Sequence, residues 1–213
     1  YALDHKKAYD NDVGPNTGGM GCFTPSKLMN KNLEEQIYKN IIKKTFYGLR
    51  KDKVDYRGVI FFGLMIKNNK PHVIEYNVRF GDPECQTLLR DLKTDLLDIF
   101  LATIEDELSK IKISKYNMKV ICVVLASLGY PGNYQKNKLL KNLDKIKKSN
   151  NIEVFHAGTK LVKNKFYSNG GRVLCITARS TTLENARRMV YKTIKAINWK
   201  NGFYRKDIGI KNK

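Results

Sequence analysis

The stretch from Gly58 to Phe80 constrains this chain more than any other. Gly58–Ile66 reads G-V-I-F-F-G-L-M-I, apolar throughout, as expected of a strand covered on both faces. Lys67-Asn68-Asn69-Lys70 supplies a polar turn, and Pro71–Phe80 reads as the return strand of a hairpin. Side chains alternate faces along a strand. The even positions Ile74, Tyr76, Val78 and Phe80 are apolar and are expected to face a core. The odd positions Glu75, Asn77 and Arg79 then share the other face, a carboxylate, an amide oxygen and a guanidinium side by side on a rigid element. Magnesium in nucleotide-dependent enzymes is typically held by one or two hard oxygens, with phosphates and water completing the shell. Arg79 can grip a phosphate as a fork. The plainer reading is a half-buried strand with a polar outer face. Gly81-Asp82-Pro83-Glu84 directly behind the triplet favours the functional one.

In that tetrapeptide Gly81 ends the strand, Asp82 is expected to cap a helix, Pro83 fits the first turn, and Glu84 complements the dipole. Helices are expected at about 83–92 and at 94–108, the second carrying Leu96, Leu97, Phe100, Leu101, Ile104 and Leu108. Upstream, residues 1–30 read as loop-rich and residues 31–50 as an amphipathic helix with Leu33, Ile37, Ile41 and Leu49 near helical spacing. A polar linker at 109–118 precedes a change of pattern. Strands are expected at 119–128, 152–157, 160–166 and 171–178, and a helix at 182–197 with Leu183, Ala186, Val190, Ile194 and Ile197 on one stripe. The fold class is α+β.

Gly14-Pro15-Asn16-Thr17-Gly18-Gly19-Met20-Gly21 matches neither the Walker loop nor G-x-G-x-x-G. It offers backbone without Cβ atoms, able to approach a ligand and present N–H groups to an anion. A loop with purely structural turns is the alternative. His156-Ala157-Gly158-Thr159-Lys160 and Asn169-Gly170-Gly171-Arg172 each join glycine to a cation, which suits a phosphate monoester, although a plain turn beside a surface charge reads as well. No nucleophile–base pair emerges: no Ser stands in G-x-S-x-G, and Cys85 has no His nearby in sequence. The four cysteines are widely spread, without C-x-x-C, and read as reduced thiols.

Forty Lys and Arg against 20 Asp and Glu give a net charge of +20. Lysine is spread along the whole chain, the densest stretch (Lys138–Lys148) is broken by Leu and Asp, and nucleic-acid motifs are absent. Solvated surface is the better account. No apolar run approaches the roughly 20 residues of a membrane span; the best, Val120–Leu128, is strand-length. No signal peptide precedes it, so neither spanning nor secretion is expected. The start at Tyr1 rather than Met suggests a truncated or excised chain.

Seven motifs stand in order: D-H-K at 4–6, G-P-N-T-G-G-M-G at 14–21, V-I-E-Y-N-V-R-F-G-D-P-E at 73–84, G-Y-P-G at 129–132, H-A-G-T-K at 156–160, N-G-G-R-V-L at 169–174 and R-K-D-I-G at 205–209. On these the chain resembles the glycinamide ribonucleotide synthetases (phosphoribosylamine–glycine ligases), ATP-grasp enzymes of purine biosynthesis. The resemblance implies the C-terminal part of an ATP-grasp domain (antiparallel sheet with helices) over 1–108, a linker over 109–118, and a small α+β substrate-binding domain over 119–213. It implies a cytoplasmic ligase in which ATP activates glycine as an acyl phosphate. The amine of phosphoribosylamine then attacks, giving glycinamide ribonucleotide, ADP and phosphate.

Carried over by motif, Glu75 and Asn77 would bind Mg²⁺ or Mn²⁺ bridging ATP phosphates, and Arg79 would steady the transferring phosphate charge. Gly14, Pro15, Asn16, Thr17, Gly18, Gly19, Met20 and Gly21 would line the acceptor pocket with Asp82 and Glu84, which join Arg79 as catalytic groups. Lys160 and Arg172 would hold the ribose 5-phosphate. Departures are mild: Cys22, Phe23 and Thr24 stand where the family often has Ala, Tyr and Ser, and Cys85 where Thr is common. Gly63-Leu64-Met65-Ile66 offers no acidic metal ligand, which leaves two protein ligands. The family also carries an N-terminal domain and the first part of the ATP-grasp fold, so this chain alone is expected to turn over little or nothing. The competing readings are another ATP-grasp ligase of the same pathway and a basic nucleic-acid-binding module.

Overall fold

A computed structural model describes residues 1–146 and 149–210. Lys147 and Lys148 of the basic stretch, and 211–213 of the expected C-terminal domain, lie outside the described residues. The chain forms two compact units, one of residues 1–25, 82–91 and 115 onward, the other of residues 26–81 and 92–114.

The first unit is built on a six-stranded antiparallel sheet. Its strands are β1 (Leu3–Asp4), β4 (Gly21–Thr24), β7 (Lys119–Ser127), β11 (Arg172–Ser180) and β8 (Ile152–His156), adjacent in that order. The short β12 (Gly202–Phe203) pairs with the end of β7. Central β7 explains the arrangement. Its V-I-C-V-V-L-A run is buried on both faces, and alternation sends Ile121, Val123 and Leu125 one way and Cys122 and Val124 the other. Against the first face packs α5 (Leu183–Ile197) through Ala186, Val190, Ile194 and Ile197. Its start is capped by Thr182 Oγ1, which accepts from Asn185 N at 3.2 Å. On the second face Cys22, Cys122 and Cys175 meet as free thiols, and Thr87 of α3 (Glu84–Leu89) reaches Cys22 Sγ at 2.7 Å.

The grouping follows strand pairing. Gly21–Thr24 lies beside Val120–Val123 of β7, so residues 1–25 pack with the C-terminal half of the chain. The loop expected at 1–30 therefore holds four strands: β1, β4 and the small hairpin of β2 (Lys7–Tyr9) and β3 (Val13–Asn16). The single strand expected at 160–166 is two, β9 (Thr159–Val162) and β10 (Lys165–Ser168). Lys163 and Asn164, at φ 46° and 58°, turn the chain between them with the two left-handed residues of a tight hairpin.

In the second unit one helical run covers 31–51 as α1 (Lys31–Ile37), a π turn (Tyr38–Ile42) and α2 (Lys43–Lys51). Asn30 Oδ1 caps it from Leu33 N at 3.0 Å, and Leu33, Ile37 and Ile41 are buried. β5 (Phe61–Lys67) and β6 (Lys70–Asn77) form the expected hairpin, turned by Asn68 and Asn69 at φ 51° and 57°. α4 (Leu96–Ile104) follows, capped by Asp95, whose Oδ1 accepts from Leu97 N at 2.8 Å.

Three expectations fail here. β6 ends at Asn77, so Arg79 lies past the strand and alternation does not place it on the face of Glu75 and Asn77. The even positions do not face a core: Ile74, Tyr76 and Val78 are 62%, 51% and 74% exposed, because this sheet has only two strands among the described residues and the helical run meets that face only in part, Thr45 Oγ1 lying 3.2 Å from the Tyr76 hydroxyl. Nor does Asp82 cap α3; Pro83 takes the cap position, no side chain caps it, and the helix spans only 84–89.

Candidate functional site

In the second unit Gly63 stands opposite Glu75 across the hairpin, and Phe61 opposite Asn77. A Cβ on Gly63 would lie 2.8 Å from Glu75 Cγ, so the glycine leaves the room that the carboxylate occupies. A bulge follows, since Leu64 already pairs with Val73 and Ile74 is the extra residue. Glu75 and Asn77 thus project from one face of a rigid pair, two residues apart, as hard oxygen donors suited to a divalent cation of the magnesium type. Among the described residues no group of three or more His, Cys, Asp or Glu is set to hold a metal ion. Arg79, exposed beyond the strand, donates to Phe80 O at 2.8 Å.

The first unit holds the glycine loop and its surroundings. The loop leaves β3 and crosses into β4, and its backbone N–H groups are met by other parts of the first unit as well as by the loop itself. Thr17 N and Oγ1 donate to Lys6 O at 2.8 and 2.7 Å, Gly19 N to Thr17 Oγ1 at 3.0 Å and Met20 N to His5 O at 2.8 Å. Gly18 N donates to the Tyr130 hydroxyl at 3.1 Å. The N–H groups of residues 17–20, expected to be offered to an anion, are therefore already engaged. What the loop presents is close backbone. Gly19, at φ 120°, sits where a Cβ would fall 2.6 Å from Pro83 Cδ and 2.9 Å from Asp4 Oδ1.

Beside the loop, Glu84 is buried at the start of α3. Lys6 Nζ lies 2.8 Å from Asp4 Oδ2 and 3.9 Å from Glu84 Oε1. Burial first, and the Asp4 charge second, push the Glu84 carboxyl above its ordinary range. Both Asp4 oxygens are buried; Oδ2 is met by the Lys6 ammonium, and Oδ1 accepts no hydrogen bond. The sequence reading gave Asp4 and Lys6 no role, although D-H-K was the signal; a carboxylate at a two-residue strand end has no periodicity to mark it.

Arg172 Nη1 gathers four oxygens: Gly18 O at 3.0 Å, Gly19 O at 3.5 Å, Asp82 O at 2.7 Å and Asp82 Oδ1 at 3.3 Å. Asp82 Oδ1 also accepts from Gln86 Nε2 at 3.3 Å. Lys160 sits on β9, half-buried and opposite Tyr167 of β10. The H-A-G-T-K and N-G-G-R segments are stitched together, since Gly158 N donates to Arg172 O at 2.9 Å and Asn169 N to Gly158 O at 2.7 Å. The first unit thus brings together the glycine loop, Asp82, Glu84 and Arg172, with Lys160 on the adjoining hairpin. Glu75, Asn77 and Arg79 belong to the second unit.

At the C-terminal end the R-K-D-I-G motif forms a buried charge network. Arg205, fully buried, makes a fork to Asp207 at 2.8 and 2.7 Å and reaches Asp12 Oδ1 at 2.7 Å and Lys7 O at 3.1 Å. It therefore grips the β2–β3 hairpin from which the glycine loop emerges.

Two family models match the chain: phosphoribosylglycinamide synthetase, ATP-grasp (A) domain, over residues 1–85, and phosphoribosylglycinamide synthetase, C domain, over residues 120–211. A relative from Agrobacterium fabrum named phosphoribosylamine–glycine ligase is 45% identical over 208 residues, 98% of this chain and 49% of its own length. The chloroplastic enzyme of that name from Arabidopsis thaliana is 43% identical over 212 residues, 98% of this chain and 40% of its own. The crystal structure of phosphoribosylamine–glycine ligase from Thermotoga maritima superposes with a TM-score of 0.84 at 31% identity, over 97% of this chain and 50% of that one. A biotin carboxylase from Campylobacter jejuni, at TM-score 0.60 and 12% identity over 87% of this chain and 39% of its own, shares the fold alone. The chain spans about half the length of the curated phosphoribosylamine–glycine ligases it matches. With the A-domain and C-domain matches standing in order along it, the chain belongs to the phosphoribosylglycinamide synthetase family.

Proposed function

We propose that this chain is part of an ATP-dependent ligase that joins glycine to 5-phosphoribosylamine in purine biosynthesis. The observation that carries the reading is the 45% identity to a relative of that name across 98% of the chain. In this reading ATP phosphorylates the glycine carboxylate, and the amine of phosphoribosylamine displaces phosphate to form the amide, leaving ADP. Glu75 and Asn77 would hold Mg²⁺ or Mn²⁺, which when bound supplies charge neutralisation to the ATP phosphates. Arg79 steadies charge on the transferring phosphoryl group, the electrostatic work that dominates such reactions.

The glycine loop, Gly14–Gly21, with Asp82 and Glu84 lines the acceptor pocket. Glu84, carrying its raised carboxyl, and Asp4 set negative charge beside the loop, suited to an amine. Lys160 and Arg172 supply cations for the ribose 5-phosphate, Arg172 holding the loop as well. As sequence modules we keep 1–108, 109–118 and 119–213, and we place the enzyme in the cytoplasm. No described helix is long and apolar enough to cross a membrane.

The test is ADP release by the full-length protein. Release should require glycine and phosphoribosylamine, bicarbonate should not replace glycine, and Glu75→Ala should lower kcat/KM by at least about a hundredfold. Bicarbonate-dependent release would move the assignment to a carboxylase. Full activity in Glu75→Ala would remove the metal assignment. The chain as given should release little or no ADP.

A further inference from the structure

We infer that Tyr130, which nothing above gives a role in the reaction, is a positioning residue that sets the glycine loop for the amine substrate; the inference rests on the ligase reading. Two motifs far apart in sequence converge on one residue of the loop. Gly18 gives its N–H to the Tyr130 hydroxyl at 3.1 Å and its carbonyl to Arg172 Nη1 at 3.0 Å. Both polar groups of Gly18 are thereby held by side chains from outside the loop. Because the same Arg172 nitrogen bonds Asp82 O and Oδ1, the loop is fixed in register with the start of α3, where Asp82 and Glu84 stand.

The backbone beneath Tyr130 is built to admit its ring. A Cβ on Gly171 would fall 2.2 Å from Tyr130 Cδ2, so only glycine fits there with the ring in place. The turn carrying Tyr130 is tied to the same segment. Ser127 N donates to Gly171 O at 2.8 Å, Ser127 Oγ to Gly170 O at 2.9 Å and Tyr130 N to Ser127 O at 3.1 Å. G-Y-P-G and N-G-G-R thus act as one bracket, with the hydroxyl at its tip.

A ring that merely packs would explain the aromatic residue but not the hydroxyl. Packing on Gly171, with Tyr134 at 6.2 Å between ring centroids, is available to phenylalanine as well. The Gly18 bond is exposed, and an exposed hydrogen bond adds little to global stability. Its effect falls on the local orientation of the loop, and so on how well the loop receives the amine substrate.

The experiment uses Tyr130→Phe and Gly171→Ala in the full-length protein. Tyr130→Phe should raise KM for phosphoribosylamine about fivefold, with kcat and the KM values for ATP and glycine within about twofold of wild type. The melting temperature should stay within about 2 °C, and the Gly18 amide should exchange faster. Gly171→Ala, which displaces the ring from the other side, should give the same KM split. An unchanged KM for phosphoribosylamine in Tyr130→Phe, or an equal rise for all three substrates, overturns the inference while the ligase reading stands. Wild-type protein without glycine-dependent ADP release overturns the ligase reading itself, and the inference with it.

Discussion

The two compact units use similar apolar side chains to different ends. In the first, Val120 through Ala126 of β7 and Leu174 and Ile176 of β11 are at most 3% exposed. In the second, Ile74, Val78, Leu97 and Ile104 are 62%, 74%, 61% and 64% exposed. The first closes a core because a helix covers each face of a six-stranded sheet. The second has a two-stranded hairpin, and of the α4 residues only Ala102 is buried. Apolar character in a sequence marks a face that needs a partner, and the number of strands and layers decides whether the partner is within reach. The difference suits the proposed division of labour: the acceptor loop is held on a stiff, densely packed frame, and the metal-facing strand stands on the more open element.

The largest effect should come from Arg205→Met. The substitution removes the guanidinium that forks to Asp207 and reaches Asp12, and it leaves Asp207, 6% exposed, as a buried carboxylate without its cation. Breaking one partner of a buried ion pair costs about 3–5 kcal/mol. Trp199 is the sole tryptophan and lies in the first unit, so urea unfolding followed by its fluorescence reads this loss directly. A loss below about 1 kcal/mol would mean that water replaces the cation and that the network is not closed.

Next comes a paired truncation across the two units. Ile176→Ala should cost about 2–5 kcal/mol, because the emptied volume lies between β7, β8 and α5 and cannot collapse freely. Ile104→Ala should cost within about 0.5 kcal/mol, read from amide exchange of the β5–β6 hairpin. A cost above about 2 kcal/mol for Ile104→Ala would show that the exposed face of α4 is covered in solution, and the contrast between the units would dissolve.

Much of this was legible in the sequence, and the failures have physical causes. The hairpin at 61–77, the helix at 183–197 and strand β7 follow from periodicity and turn residues, which are local properties. Glu75 and Asn77 were read as neighbours on one face because two residues at spacing two on a strand share a face, and β6 carries both. What sequence could not supply was pairing at a distance. Gly21–Thr24 is a central strand by virtue of its neighbour β7, and four residues directly behind a glycine-dense loop are too few to show alternation. Arg172 read as a phosphate cation because glycine beside arginine has that look, yet the structure commits one of its nitrogens to two loop carbonyls and Asp82. Asp82 read as a helix cap from its place before Pro83, whereas its carboxylate turns to Arg172 and Gln86. Tyr130 was passed over since a tyrosine in a turn is ordinary until Gly18 is seen at its hydroxyl.

The smallest predicted effect is a pH dependence carried by the first unit. His5 is 5% exposed, with Nδ1 3.3 Å from Gly21 O. Burial first and the Arg205 charge second hold its pKa below 6.5, against the opposing pull of Asp12, Asp4 and Asp207. The unfolded chain then binds the proton more readily than the folded one. The stability tied to a neutral His5 is complete above pH 6.5 and is lost as the pH falls from there toward the lower folded value. Glu84 works the other way: its folded carboxyl titrates above 4.5, so acidification toward 4.5 returns stability. His156, more exposed and also lowered by burial, adds to the His5 direction. Unfolding free energy followed at Trp199 should therefore decline as the pH falls below 6.5, and the decline should be opposed as Glu84 takes up its proton above 4.5. His5→Gln should shrink the decline without abolishing it, since His156 remains. A decline of full size in His5→Gln would move the titration to His156 and leave the interior beside the glycine loop indifferent to pH.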